Sequence, residues 1–213
     1  MSTVLKSLAL VLCFGVAACG SVETASRASV NHDLATSAAI QPRALSLTQF
    51  RVEVPEHLRV SELNAYLPSG DIVWRGDPAG DRHAQVKAIF EAGLSQAQAR
   101  MAAGTPVAAT VTVRRFHALS EKARYTTGGV HHMVFDIALT DPATGVPLGP
   151  VRTVTTDLVA FGGNKAIKAD ARGETQKVRI TRHLGQAVTE ELTQPGGHQN
   201  ARLGLIQAMN RGL

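Results

Sequence analysis

Cysteine is almost missing from this chain. Of 213 residues only Cys13 and Cys19 carry a thiol, both near the N-terminus. That excludes a disulfide framework, a thiolate zinc site and a cysteine nucleophile in the body of the fold. Aromatic residues are sparse at 4%, with a single tryptophan, so Ala, Val, Leu and Ile must fill most of a core drawn from 44% hydrophobic residues. No Gly-x-Ser-x-Gly elbow is present, and no glycine-rich turn is followed by Lys-Ser or Lys-Thr, so neither a serine-hydrolase elbow nor a P-loop is encoded. Long apolar runs are lacking except at the start of the chain. Charge is present but uneven: residues 46–100 carry a net charge of −1 and residues 101–213 a net charge of +5.

The one strongly apolar run, Ser7 to Ala18 behind Lys6, is shorter than the roughly 20 residues a spanning helix needs, and reads as a secretory signal. It ends in Val16-Ala17-Ala18-Cys19-Gly20, which resembles the lipobox of bacterial lipoproteins. The resemblance implies cleavage after residue 18 and lipidation of Cys19. The membrane is then a partner through the acyl chains, since two chains anchor stably where one is marginal. Gly20 after the cysteine implies the outer membrane, facing the periplasm. Cys13 would leave with residues 1–18 and Cys19 would be occupied, leaving no free thiol. Residues 19–45, rich in Ser, Thr and Ala, read as a flexible tether.

Regular patterning starts at Ser46. Leu47 to Val54 alternates and predicts a strand, although only the face of Phe50, Val52 and Val54 is consistently apolar; Pro55 closes it. Val60 to Leu67 reads either as a short strand or as a loop, and Asp71 to Arg75 as a strand. Gly76 to Gly80 is a turn, and Asp81 is placed to cap a helix whose apolar stripe runs through Val86, Ile89, Phe90, Leu94, Ala97 and Met101. Three strands follow, Val107 to Phe116, Val130 to Thr140 and Leu148 to Phe161, with an Asp-Pro-Ala-Thr-Gly hairpin turn at 141–145. Pro147 and Pro150 predict an edge or a late start for the third. Asn164 is expected to cap a short helix to Ala171, and Glu174 to Thr193 to form a longer one. Pro195-Gly196-Gly197 reads as a hinge before a short amphipathic tail through Leu203, Ile206 and Met209. The expected fold is α+β, a mostly antiparallel sheet with helices packed on one face (a two-layer α/β sandwich), in one domain at 46–194 followed by the hinge and tail at 195–213.

This order resembles small periplasmic domains of outer-membrane lipoproteins, including the transport-auxiliary lipoproteins of envelope lipid-export systems. The hairpin Thr140-Asp141-Pro142-Ala143-Thr144-Gly145 is similar to one found late in the sheet of several uncharacterised lipoprotein families. Residues 80–86 (Gly-Asp-Arg-His-Ala-Gln-Val), 116–125 (Phe-His-Ala-Leu-Ser-Glu-Lys-Ala-Arg-Tyr) and 161–163 (Phe-Gly-Gly) look like one such family, over about residues 46–194. The resemblance implies no activity and assigns no catalytic residue.

The candidate chemistry is thin. His131 and His132 are adjacent on a strand, so they point to opposite faces and do not share a metal; one is expected half-buried and the other solvated, with His117 in reach across the sheet. His83 is expected on a solvated helix face. No metal and no cofactor is called for. The 76–81 loop offers weak anion-cradle geometry, and Asp77 and Asp81 within it read as backbone partners. Lys165, Lys168, Arg172, Lys177 and Arg179 form a basic run suited to an anionic or protein contact. Nucleic acid is excluded by the envelope address. The expected function is a non-enzymatic binding or accessory module for a protein or envelope component. The alternative is a small-ligand-binding or hydrolytic domain using the 76–81 loop or His117, His131 and His132.

Overall fold

A computed structural model describes residues 44–205 and 207–208. The signal segment, nearly all of the tether, and Ile206 and Met209 of the expected tail lie outside the described residues.

The elements run β1 (Leu45–Glu53), β2 (Ile72–Val73), α1 (Arg82–Arg100), β3 (Thr105–His117), α2 (Glu121–Arg124), β4 (Gly129–Thr140), β5 (Arg152–Ala160), α3 (Gly163–Asp170) and α4 (Gln176–Thr193). The sheet has five strands in the order β1-β3-β4-β5, with β2 also on β3, pairing at Phe116 and His117. The expected α+β class is therefore observed. β3, β4 and β5 form an antiparallel meander, while β1 and β2 join β3 in parallel. A parallel pair cannot be closed by a tight turn, and α1 supplies the crossover from β1 to β3.

Two bulges explain why the alternation in the sequence breaks. The register of β1 against β3 shifts between Leu47 and Gln49, and that of β3 against β4 between Val113 and Arg115. An extra residue flips the side-chain parity that follows it. Leu47 thereby shares the inner face with Val52, and Phe116 with Val107, Ala109, Val111 and Val113. Above this face lie α1 and α4. Asp81 caps α1 as expected, its Oδ1 accepting from Ala84 N at 3.0 Å. The two helices meet closely at Gly93 and Gly185, where a methyl group on Gly185 would lie 2.9 Å from the Gly93 carbonyl oxygen. The few aromatics are concentrated here: Trp74 packs on Phe116 (5.7 Å), Phe116 on Phe90 (6.1 Å) and Phe90 on Phe135 (5.5 Å). The first and last are edge-to-face, an arrangement that adds about 0.5–1.5 kcal/mol each beyond burial.

Several expectations need correcting. Asn164 does not cap α3; Gly162 holds the cap position with no side-chain bond, and Asn164 is exposed. α4 starts at Gln176, because Thr175 caps it by accepting from Val178 N. The helical turn α2, unforeseen in the sequence, is capped by Ser120. β5 begins at Arg152, the late start that Pro147 and Pro150 predict.

Candidate functional site

The basic run does not form one face. Lys177 Nζ is held by Asp77, at 2.8 and 3.0 Å from the two carboxylate oxygens, and Trp74 Nε1 donates to the same group at 2.9 Å. Burial pushes the Asp77 carboxyl up, but the bonds from Lys177 and Trp74 outweigh it and hold it below its ordinary value. Arg179 donates to Val159 O at 2.7 Å and lies 3.4 Å over the Phe161 ring, which Lys165 approaches at 4.2 Å. Lys168 and Arg172 are exposed on α3 and just beyond it. Two of the five cations are thus tied into the fold, and the other three lie on or next to α3.

The 76–81 loop turns its polar groups inward. Pro78 O accepts from Arg82 (3.1 Å) and Gln85 (2.9 Å). Arg82, 5% exposed, grips Glu62 through Nε and Nη2 at 2.6 and 3.1 Å, and its hydrogen bond is the main reason the Glu62 carboxyl lies below its usual range. His83 is half-buried and bonds Leu58 O at 3.1 Å, in place of the solvated position expected for it.

The histidines occupy both faces of the sheet, as their adjacency requires, but both are buried: His131 is 1% exposed and His132 5%. The expectation of one solvated ring fails because residues beyond the hinge cover the outer face. There His117, His132 and Asp157 stand side by side on β3, β4 and β5. His132 Nδ1 donates to Asp157 Oδ1 at 2.6 Å; Asn200 and Gln207 donate to Oδ2 at 2.6 and 2.5 Å, and the Asp157 amide donates to Asn200 Oδ1 at 2.7 Å. His117 Nε2 donates to Pro68 O at 2.8 Å, since a carbonyl only accepts. The tail is therefore fastened by amide side chains. Leu205 is 83% exposed and Leu203 half-buried. Asp157, Asn200 and Gln207 were missed in the sequence; a lone carboxylate on β5 between Thr156 and Leu158 is the only signal that could have pointed to them. No group of three or more His, Cys, Asp or Glu suited to a metal ion occurs among the described residues.

On the helix side, His131 faces Phe161, Ala166, Ala169 and Gln176. Burial, reinforced by Arg179 and Arg124, drives its pKa well below the ordinary value and keeps the ring neutral. His183, bonded to Thr156 Oγ1 at 2.7 Å, is lowered to about 4, chiefly by burial and then by His198.

At the end of the sheet, Tyr66, Leu67, Pro68, His117, Leu119 and Val130 line an open, mainly apolar cleft of about 290 Å³. Gly128 in its wall is packed closely on Gly162: a methyl group on Gly162 would lie 2.1 Å from the Gly128 nitrogen. Tyr66 and Leu67 are 48% and 46% exposed at its rim.

No protein of curated function matches this chain. Among solved structures it is similar to protein XCC0632 from Xanthomonas campestris, of family DUF330, at 10% identity and TM-score 0.39 over 71% of this chain and 82% of that one. It is also similar to a candidate lipoprotein from Caulobacter crescentus, at 14% identity and TM-score 0.32 over 67% and 87%. At these scores the likeness assigns neither function nor location. No helix among the described residues is long and apolar enough to cross a membrane. Residues 45–208, almost the whole of the described fold, match the model of a family of unknown function, DUF6778, and the chain belongs to that family.

Proposed function

We propose that this chain is a lipid-anchored binding module of the cell envelope, without catalytic turnover, that receives apolar side chains of a protein partner in the cleft formed by residues 66–68, 117–119 and 127–130. The observation that carries this reading is the cleft itself: about 290 Å³, mainly apolar, and rimmed by large side chains left half in water. Burying such side chains against a partner stabilises a complex by about 1.5–3 kcal/mol each. Lipidation at Cys19, implied by Val16-Ala17-Ala18-Cys19, holds the module at the outer membrane facing the periplasm. Lys165, Lys168 and Arg172 offer charge to an acidic rim on the partner.

The test is in-cell photo-crosslinking from position 66, with a probe at the exposed hairpin residue Val146 as control. The expected outcome is a discrete protein adduct from position 66, absent from position 146 and lost in Leu67→Asp. In the same cells Cys19→Ser releases the chain from the membrane fraction. Equal adducts from both positions, or an adduct that survives Leu67→Asp, overturn the cleft as the contact.

A further inference from the structure

A second cleft lies where α2, the end of α3 and the first turn of α4 meet. It encloses about 300 Å³ between Arg75, Arg124, Tyr125, Thr175, Gln176 and Lys177. Behind it is a niche of about 10 Å³ that His131 lines; the two cavities share Arg124, Asp170 and Gln176 as walls. A space of that size admits one water-sized atom group and no more.

Three buried nitrogen atoms around these cavities have no hydrogen-bond partner among the described residues: Arg75 Nε, Arg124 Nε and His131 Nδ1. Each unsatisfied buried group costs about 1–3 kcal/mol, and native folds hold few of them. Three at one place point to an absent acceptor. The guanidinium ends are already engaged, Arg75 with Glu62 at 3.1 Å and Glu121 at 3.5 Å, and Arg124 with Asp170. Both Nε–H groups are thereby held in fixed orientation with nothing to donate to. Lys177 is likewise held by Asp77. α4 is 18 residues long and presents its first turn, Gln176 and Lys177, in the cleft wall. A helix start carries about half a positive charge and amides without intrahelical acceptors. The walls also carry Glu121 and Asp170, and the niche adds Glu174 and Arg179, so charges of both signs line the site.

We propose that this cleft binds a single oxyanion group, a carboxylate or a phosphate monoester, with one oxygen entering the His131 niche and Arg75 and Arg124 donating to the group from Nε. The niche is the size of one oxygen, and the outer cleft is large enough for the remainder of a small acid. His131 is suited to its end of the site because a neutral imidazole offers an N–H without adding a buried charge. This site stands apart from the apolar cleft, although Leu119 borders both.

The test uses the full chain purified in mild detergent, titrated with sodium phosphate and separately with sodium acetate, against sodium chloride at matched ionic strength. The expected result is a saturable rise in Tm with one or both probes, half-complete in the millimolar range, together with a shift of the His131 side-chain nitrogen resonances. Phosphate alone identifies a phosphate site, and acetate alone a carboxylate site. Arg75→Gln weakens the response at least tenfold, as does Arg124→Gln, while Lys87→Gln, an exposed cation on α1 outside the cleft, responds as the parent chain does. Should Arg124→Gln fail to fold, Arg75→Gln and the His131 resonances decide the matter. A non-saturable rise equal to that in chloride, or an Arg75→Gln chain that responds fully, overturns the proposal and leaves ordered water as the occupant.

Discussion

A methyl group has no room at Gly162. Its φ of −122° suits any residue, so the constraint is contact alone: the Cβ would press on the Gly128 nitrogen at 2.1 Å and on the Thr127 carbonyl carbon at 2.4 Å. Backbone cannot swing aside as a flexible side chain does. Gly162→Ala is expected to cost about 2–3 kcal/mol, read from urea denaturation, whereas Gly196→Ala, whose nearest neighbour would be the movable end of Gln199 at 3.5 Å, stays within about 0.5 kcal/mol. At this scale the sequence is legible where cause and effect are neighbours. Asp81 caps a helix three residues away, and its type and position announce that. Gly128-Gly129 and Gly162-Gly163 each announce a break, but nothing local says that the breaks touch. Asp157 is opaque for the same reason, since Asn200 and Gln207 lie 43 and 50 residues along the chain.

Among the elements, the strands and long helices were readable and the parity of the strands was not. Leu47 looks misplaced against Phe50, Val52 and Val54 until the shift beside Thr48 restores it, and Phe116 looks misplaced until the shift beside Arg114 does. A bulge is set by its partner strand, which a linear pattern does not display. The segment after the hinge is held by groups that its apolar spacing does not announce. Apolar spacing at Leu203 and Ile206 marks an amphipathic tail, and the anchors seen among the described residues are Asn200 and Gln207 on a carboxylate that has no exposed surface. Hydrogen bonds to a charged group contribute about 1.5–3 kcal/mol each, and more is lost when the charge stays buried without them. The double substitution Asn200→Ala, Gln207→Ala is expected to destabilise the chain by at least 3 kcal/mol and to open Pro195 to Gly197 to proteolysis. Leu205→Ser, at an exposed position, leaves both unchanged. Equal protection of the double variant and the parent would show that these hydrogen bonds do not hold the segment.

For the molecule as a whole, the buried histidines set a pH dependence. His183 is lowered from 6.5 to about 4 on folding, and His131 is also lowered. Between those values the unfolded chain takes up protons that the folded chain refuses. Stability is therefore complete above pH 6.5 and falls as pH drops toward 4, by up to about 1.4 kcal/mol per unit for His183 alone. Urea midpoints at pH 7, 6 and 5 should decline in sequence. Carboxylates held below their ordinary values, such as Asp77 and Glu190, add their own loss only at more acid pH. A midpoint that does not move between pH 7 and 5 would mean that the buried rings are hydrated. The sheet edge at β5 has a further consequence for copies of the chain that meet at high concentration. A docking strand would need the amide of Asp157 and the carbonyl of Val159, but Asn200 accepts from the first and Arg179 donates to the second. Side chains from elsewhere in the fold have plugged this stretch of the edge, so edge-to-edge joining of one sheet to the next, the usual hazard of an open strand, is blocked where it would begin.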